Sequence, residues 1–204
     1  MISIIDYGVG NINAFVNVYK KLGIHLNIAK TVEDLGSTTK IILPGVGAFD
    51  QAMARLNSSG MRPAIDRMVL FDEMPLIGIC VGMQMLAKTS EEGILPGLGY
   101  FDAVVRKFDE SRMRIKLNLP HMGWNDVMTS NGSKLFYKLE ENPIFYFLHS
   151  YYFECNNNDD IIAKADYGGE FVCAVNHKNI YGVQFHPEKS HQFGIQLLKN
   201  FSDI

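Results

Sequence analysis

Little in this sequence points to a membrane or a nucleic acid. No apolar run approaches the roughly 18–20 residues that a spanning helix needs. Met1–Asp6 lacks a basic leading region and reads as a strand, not a signal peptide. Nineteen Lys and Arg against 22 Asp and Glu leave a formal charge of −3, with no basic excess to bind polyanions. Only three cysteines are present. Cys80, Cys155 and Cys173 are odd in number and far apart, which excludes a disulfide framework and a CxxC-type zinc site and suits a reducing cytoplasm. No metal or cofactor is expected. No repeat, low-complexity tract or linker interrupts the 204 residues, so residues 1–204 are expected to form one domain with a substantial core.

What is present in the first half is alternation. Ile2–Ile5, His25–Ala29, Lys40–Leu43 and Pro75–Ile79 read as short apolar strands. Between them lie a helix to about Leu22, capped by Asn11 or Asn13 and stopped at Gly23, and helices over Phe49–Asn57 and Arg62–Phe71. Ala14, Val18 and Leu22 are the expected buried face of the first helix. Thr31–Asp34 resembles a capping box opening a short helix. Strands alternating with helices predict an α/β fold: an open, mostly parallel sheet with helices on both faces. In such sheets ligands gather beyond the carboxyl ends of the strands. That rule directs Asp6–Gly10, Pro44–Gly47 and Cys80 to one crevice.

The second half changes character. Tyr100–Phe108, Arg114–Leu117, Trp124–Met128, Ile144–Cys155, Ile161–Ala165, Phe171–Asn176 and Ile180–Phe185 read as strands with short turns, hence antiparallel additions to the sheet. A last helix, Gln192–Phe201, turns Ile195, Leu198 and Phe201 to the core.

Two stretches carry chemistry. Gly78-Ile79-Cys80-Val81-Gly82 ends an apolar run and precedes a helix-forming segment, the cysteine counterpart of a Gly-x-Ser-x-Gly nucleophile elbow. Read alone, Cys80 is either such a nucleophile or a buried core cysteine. A helix start behind it would favour a thiolate. A thiol nucleophile needs a base, and the base needs an orienting group. Of six histidines only His186 has one locally, in His186-Pro187-Glu188. Pro187 biases His186 toward extended geometry, where residues two apart share a side. Gly45-Val46-Gly47, at the end of the neighbouring strand, has the backbone freedom to aim N–H groups at an oxyanion.

Together these motifs resemble those of the class I (triad-type) glutamine amidotransferases. Ile5–Asn11, Leu43–Phe49, Pro120–Asn125, His149–Tyr152, Asp166–Gly169 and Gly182–Ser190 extend the similarity along the chain. The resemblance implies a glutaminase that releases ammonia through a Cys80 thioester, with His186 as base and Glu188 as its orienting acid. It implies backbone N–H groups of Val81 and of Val46 or Gly47 as oxyanion donors. For glutamine it implies contacts from Gly45, Gln84, Glu92, Ser150 and Tyr151. It implies a heterodimer in which the ammonia passes to a (β/α)₈-barrel cyclase, with His121, Trp124, Asn125, Tyr146 and Lys189 toward that partner. Two alternatives stay open: a sugar-amidating synthase as partner, or a catalytically silent chain that only binds and regulates a synthase.

Overall fold

A computed structural model describes residues 1–109, 111, 118–130, 132–139 and 143–204. The expected strand at Arg114–Leu117 lies outside these residues. The elements in the first half are β1 (Ile2–Ile5), α1 (Ile12–Lys21), β2 (Leu26–Ala29), β3 (Lys40–Gly45), α2 (Phe49–Ser58), α3 (Arg62–Leu70), β4 (Leu76–Cys80) and α4 (Val81–Gln84). There follow β5 (Thr89–Ser90), β6 (Ala103–Lys107), β7 (His121–Asp126), β8 (Met128–Thr129), β9 (Ile144–His149), β10 (Tyr151–Cys155), β11 (Ile161–Asp166), β12 (Glu170–His177), β13 (Ile180–Val183) and α5 (His191–Asp203).

Among the described residues the main sheet runs β2-β1-β3-β4-β13-β12-β10-β6-β5, with β11 and β8 branching from β12. It is parallel from β2 through β13 and antiparallel from β13 through β12 and β10 to β6. This is the expected α/β sheet with antiparallel additions. The chain leaves β1 toward one edge and then leaves β3 toward the other. Right-handed crossovers therefore put α1 on one face and α2 and α3 on the opposite one. The Tyr19 hydroxyl donates to the Leu198 carbonyl at 3.1 Å, tying α1 to α5.

Asn11 caps α1, its side-chain oxygen accepting from the Ala14 N–H at 3.3 Å. Of the expected Ala14, Val18 and Leu22, Val18 is buried and Leu22 packs half-buried against the core, but the buried face of α1 is completed by Phe15 and Tyr19. The i, i+3, i+4 set that wins carries two aromatic rings, which bury far more apolar area. The capping box at Thr31 becomes a 3₁₀ turn over Glu33–Leu35, with the Asp34 carboxylate accepting from the backbone N–H of Lys30 and Thr31.

Two further differences bear on the site. Ile144–Cys155 is two strands, not one. β9 pairs with β7 in a separate two-stranded sheet, whereas β10 joins the main sheet. The chain changes sheets at Ser150. Behind the elbow, α4 is a single turn of four residues, because the Gly97–Gly99 loop takes over the next carbonyls: Leu98 N–H donates to Met85 and Gly99 N–H to Ala87. A helix this short supplies little of the macrodipole expected to favour a thiolate.

The elbow depends on close backbone approach. A Cβ on Gly82 would be driven into the Leu43 carbonyl oxygen, and one on Gly45 into the Gly82 nitrogen. A Cβ on Gly78 would sit 2.6 Å from the Gly82 carbonyl oxygen. Gly82→Ala is therefore expected to cost more than about 4 kcal/mol or to prevent folding. Gly169→Ala, where a Cβ meets nothing within 4 Å, should stay within about 0.5 kcal/mol of wild type. Urea unfolding of both variants checks the contrast; equal stability would refute the packing argument.

Candidate active site

Register brings the pieces together. In the parallel sheet Cys80 lies opposite Gly45 on one side, and Ile79 lies opposite Val183 on the other. The residue after β13, Gln184, is thus delivered beside Cys80. Cys80 itself has φ 55° and ψ −114°, close to the (+60°, −120°) of a type II′ turn position that glycine normally fills. A side chain held there is strained, and such strain persists only where the surroundings enforce it. The enforcing surroundings are the glycine contacts of Gly45, Gly78 and Gly82.

His186 follows β13 in extended conformation, with φ −102° and ψ 92°. Its backbone is pinned from both ends: its N–H donates to the Tyr146 carbonyl at 2.8 Å, and its carbonyl accepts from the Ser190 hydroxyl at 2.6 Å. Pro187 opens a 3₁₀ turn over Pro187–Lys189. Through this turn, not through the extended spacing expected, the Glu188 carboxylate reaches back to His186 Nδ1 at 2.9 Å. Both side chains are buried, 4% and 2% exposed. Among the described residues the second Glu188 oxygen has no hydrogen-bond partner; the contact with the imidazole is made by the other. Burial alone would lower the His186 pKa. The charge of Cys80 and its hydrogen bond, followed by the hydrogen bond and charge of Glu188, outweigh burial and raise it to about 10. The imidazole is therefore cationic at neutral pH.

These groups open onto a cavity of about 350 Å³, within the usual small-molecule range of roughly 300–1,000 Å³. Its lining includes Cys80, Val81, Val46, Gly47, Gln84, Glu92, Ser150, Tyr151, His186 and Lys189. A larger hollow of about 600 Å³ lies against α5, lined in part by Lys134, Tyr137 and Asp203; none of the groups just described faces it. Gly45 does not line the site: it packs against Gly82 and sets the spacing of β3 from the elbow. Asp6–Gly10 also stays outside, with Gly10 against Pro44 and Gly8 against Arg55. Tyr7 contributes from behind, its hydroxyl donating to the Pro44 carbonyl at 2.6 Å. Burial, and then the charge of Cys80, push that hydroxyl well above the ordinary tyrosine range. Glu92 faces the cavity while its carboxylate accepts from the Phe49 N–H at 2.8 Å, capping α2.

The residues expected to face a partner divide. On the outer face of the β7–β9 sheet, Trp124 is 49% exposed and stacks on His191. Beside it Lys189 Nζ lies 5.5 Å from the centroid of the half-buried Tyr146 ring. His121 contradicts the expectation: it is buried, stacked between Phe147 and Tyr167. The strand's alternation is the cause, since His121, Gly123 and Asn125 point away from the face that carries Met122 and Trp124. Asn125 is likewise turned inward, donating to the Asp166 carbonyl at 2.8 Å.

His121 belongs instead to a polar chain that sequence reasoning missed. His149 Nδ1 donates to the Tyr151 carbonyl at 2.8 Å, so its Nε2 accepts from His121 Nδ1 at 3.0 Å. His121 Nε2 then accepts from Asn125 Nδ2 at 3.3 Å. With both rings neutral, the terminal carbonyl fixes which tautomer each adopts. Burial pushes the His121 pKa down to about 4. Burial likewise pushes His149 down to about 3, against the Tyr151 carbonyl and with help from His121 and His186. Gln184 was missed as well. It precedes His186 by two in an extended segment, and that same-side spacing was the available signal.

Because both histidines are neutral when folded and titrate near 6.5 when unfolded, the unfolded chain binds more protons below that pH. Stability should be fully present above about pH 6.5 and fall as the pH drops toward 4, by up to about 1.4 kcal/mol per pH unit for each imidazole. Urea titrations between pH 4.5 and 7 measure this slope. His121→Gln should reduce it by about one proton; an unchanged slope would refute the neutral pair.

The geometry can be set beside known proteins. The family model for glutamine amidotransferase class-I matches residues 3–203. The imidazole glycerol phosphate synthase subunit HisH of Bdellovibrio bacteriovorus is 58% identical over 204 residues, all of both chains. The protein of the same name from Leptospira interrogans is 52% identical, again over all of both chains. A crystal structure of a glutamine amidotransferase superposes with a TM-score of 0.76 at 18% identity, covering 99% of this chain and 97% of that one. This chain belongs to the class I glutamine amidotransferases.

Proposed function

We propose that residues 1–204 act as one glutaminase domain. It hydrolyses L-glutamine to glutamate and ammonia and delivers the ammonia to the cyclase subunit of imidazole glycerol phosphate synthase, in histidine biosynthesis and in the cytoplasm. The observation that carries the chemistry is the buried Cys80–His186–Glu188 arrangement at the floor of the cavity. Full-length identity of 58% and 52% to subunits named for that synthase supports the pathway over a sugar-amidating partner. A silent regulator would have no use for a strained cysteine paired with a cationic imidazole.

In this reading the Cys80 sulfur attacks the side-chain amide carbon of glutamine and the carbonyl oxygen becomes an oxyanion. The Val81 N–H and an N–H of Val46 or Gly47 receive that charge; removing such a donor typically costs about 10²–10³ in rate. His186 gives its proton to the departing ammonia, leaving a thioester. It then takes a proton from water, which attacks the thioester and frees glutamate. Glu188 holds the imidazole through Nδ1 in both steps. Gln84, Ser150 and Tyr151 face the amino-acid end of the substrate, and Glu92 closes that side.

Ammonia released into water would be protonated and lost, so the cavity needs a partner to exclude solvent. The outer face of the β7–β9 sheet borders the site: Met122 is 64% and Leu148 37% exposed, and they are cross-strand neighbours, as are Trp124 and Tyr146. Leu148 and Lys189 also line the cavity. A (β/α)₈-barrel cyclase docked there as a heterodimer would cap the site.

Co-purification with the cyclase and a glutamine-dependent product assay test the reading. Cys80→Ala should abolish glutamine-dependent synthesis while synthesis from added ammonia persists; retained hydrolysis would sink the assignment. Glu188→Gln should lower kcat about 10²–10⁴-fold. Because Glu188 raises the His186 pKa, the variant's alkaline limb should move down from near pH 10. A pH–rate profile with that limb unmoved would count against the orienting role.

A further inference from the structure

Behind the nucleophile lies a buried amide that the mechanism above does not use. Gln184 is fully buried, and its Nε2 lies 3.8 Å from Cys80 Sγ. An amide side chain can turn either end toward a neighbour, so the contact means something only if the orientation is imposed. Here it is imposed in sequence. The Tyr151 carbonyl accepts from Gln84 Nε2 at 3.3 Å, a contact that a turned Gln84 would replace with two opposed oxygens. The same Nε2 donates to Gln184 Oε1 at 3.0 Å. With its oxygen committed to Gln84, Gln184 presents an N–H to the sulfur.

We propose that Gln184 is a further catalytic residue: a hydrogen-bond donor to the Cys80 thiolate, held in that orientation by Gln84 and the Tyr151 carbonyl. The Leu148 carbonyl, 4.0 Å from Sγ, suits the neutral thiol, so of these two contacts only the Gln184 amide adds to the imidazole in favouring the anion. The donor also serves deacylation, where hydrolysis of the thioester returns negative charge to sulfur. The other ionisable groups around the thiol are His186, with Glu188 behind it, Tyr7, His149, and the cavity-lining Glu92 and Lys189. None of these replaces a donor on the Gln184 side. The inference rests on the reading of Cys80 as the nucleophile.

The test is the pH dependence of Cys80 alkylation by iodoacetamide on the intact chain, followed by mass spectrometry of the Cys80 peptide. Iodoacetamide needs no glutamine site, so the profile reports on the thiolate alone, whereas hydrolysis by Cys80→Ala reports on the nucleophile reading. Gln184→Met keeps the length and removes the donor. Its alkylation midpoint should rise by about one pH unit, a tenfold loss of thiolate below the midpoint. Gln84→Met leaves Gln184 in place but frees its amide to turn, and should reproduce part of the shift. Midpoints that superimpose on wild type in folded variants overturn the proposal. So does a fall in rate that is uniform across pH, which is what loosened packing alone would give. Should Gln184→Met not fold, an unmoved midpoint in Gln84→Met overturns it.

Discussion

Three glycines let β3, β4 and the turn after β4 close to backbone contact, and the site depends on that closeness. Gly45, Gly78 and Gly82 each face backbone atoms of a neighbouring segment with no room for a methyl group. This packing holds Cys80 at φ 55°, a conformation that costs on the order of 1–3 kcal/mol for a residue with a side chain. The strain aims the sulfur out of the sheet and into the cavity. The single turn of helix that follows has little dipole to offer, so the positive charge beside the sulfur comes from the imidazole instead.

That imidazole is held as firmly as the cysteine. Tyr146 and Ser190 clamp the backbone of His186, and the 3₁₀ turn after Pro187 brings Glu188 under the ring. Ser190 also accepts from the Tyr146 N–H at 3.0 Å, so the β9 strand and the His186 turn are tied together. The outer side of that strand is the apolar face proposed for docking. The strand switch at Ser150 completes the arrangement, because it lets β9 pair with β7 in the outer sheet while β10, which carries the cavity-lining Tyr151, joins the main sheet.

Much of this was legible from residue order. Alternating strands and helices indicated the parallel half of the sheet, and the spacing in Gly78–Gly82 and His186–Glu188 indicated a nucleophile, a base and an acid. Those signals are local: a period of two or 3.6, a small residue at a close approach, a proline that restricts its neighbour. Local signals misled where the answer was set by packing partners. The run Ile144–Cys155 has no break in its pattern, yet it divides between two sheets. His121 stands in a motif with the exposed Trp124, yet strand alternation turns it inward.

The sequence by itself determined the chemistry available: one thiol between glycines, one histidine with its carboxylate two residues on, and a family likeness running the length of the chain. Tertiary structure decided which groups touch. Parallel register set Gln184 beside Cys80 across 104 residues of chain. The strand switch put the Tyr151 carbonyl between His149 and Gln84. Hydrogen bonds between distant residues leave no periodic trace in a sequence, because their geometry comes from the pairing of strands and not from the order of side chains along any one of them.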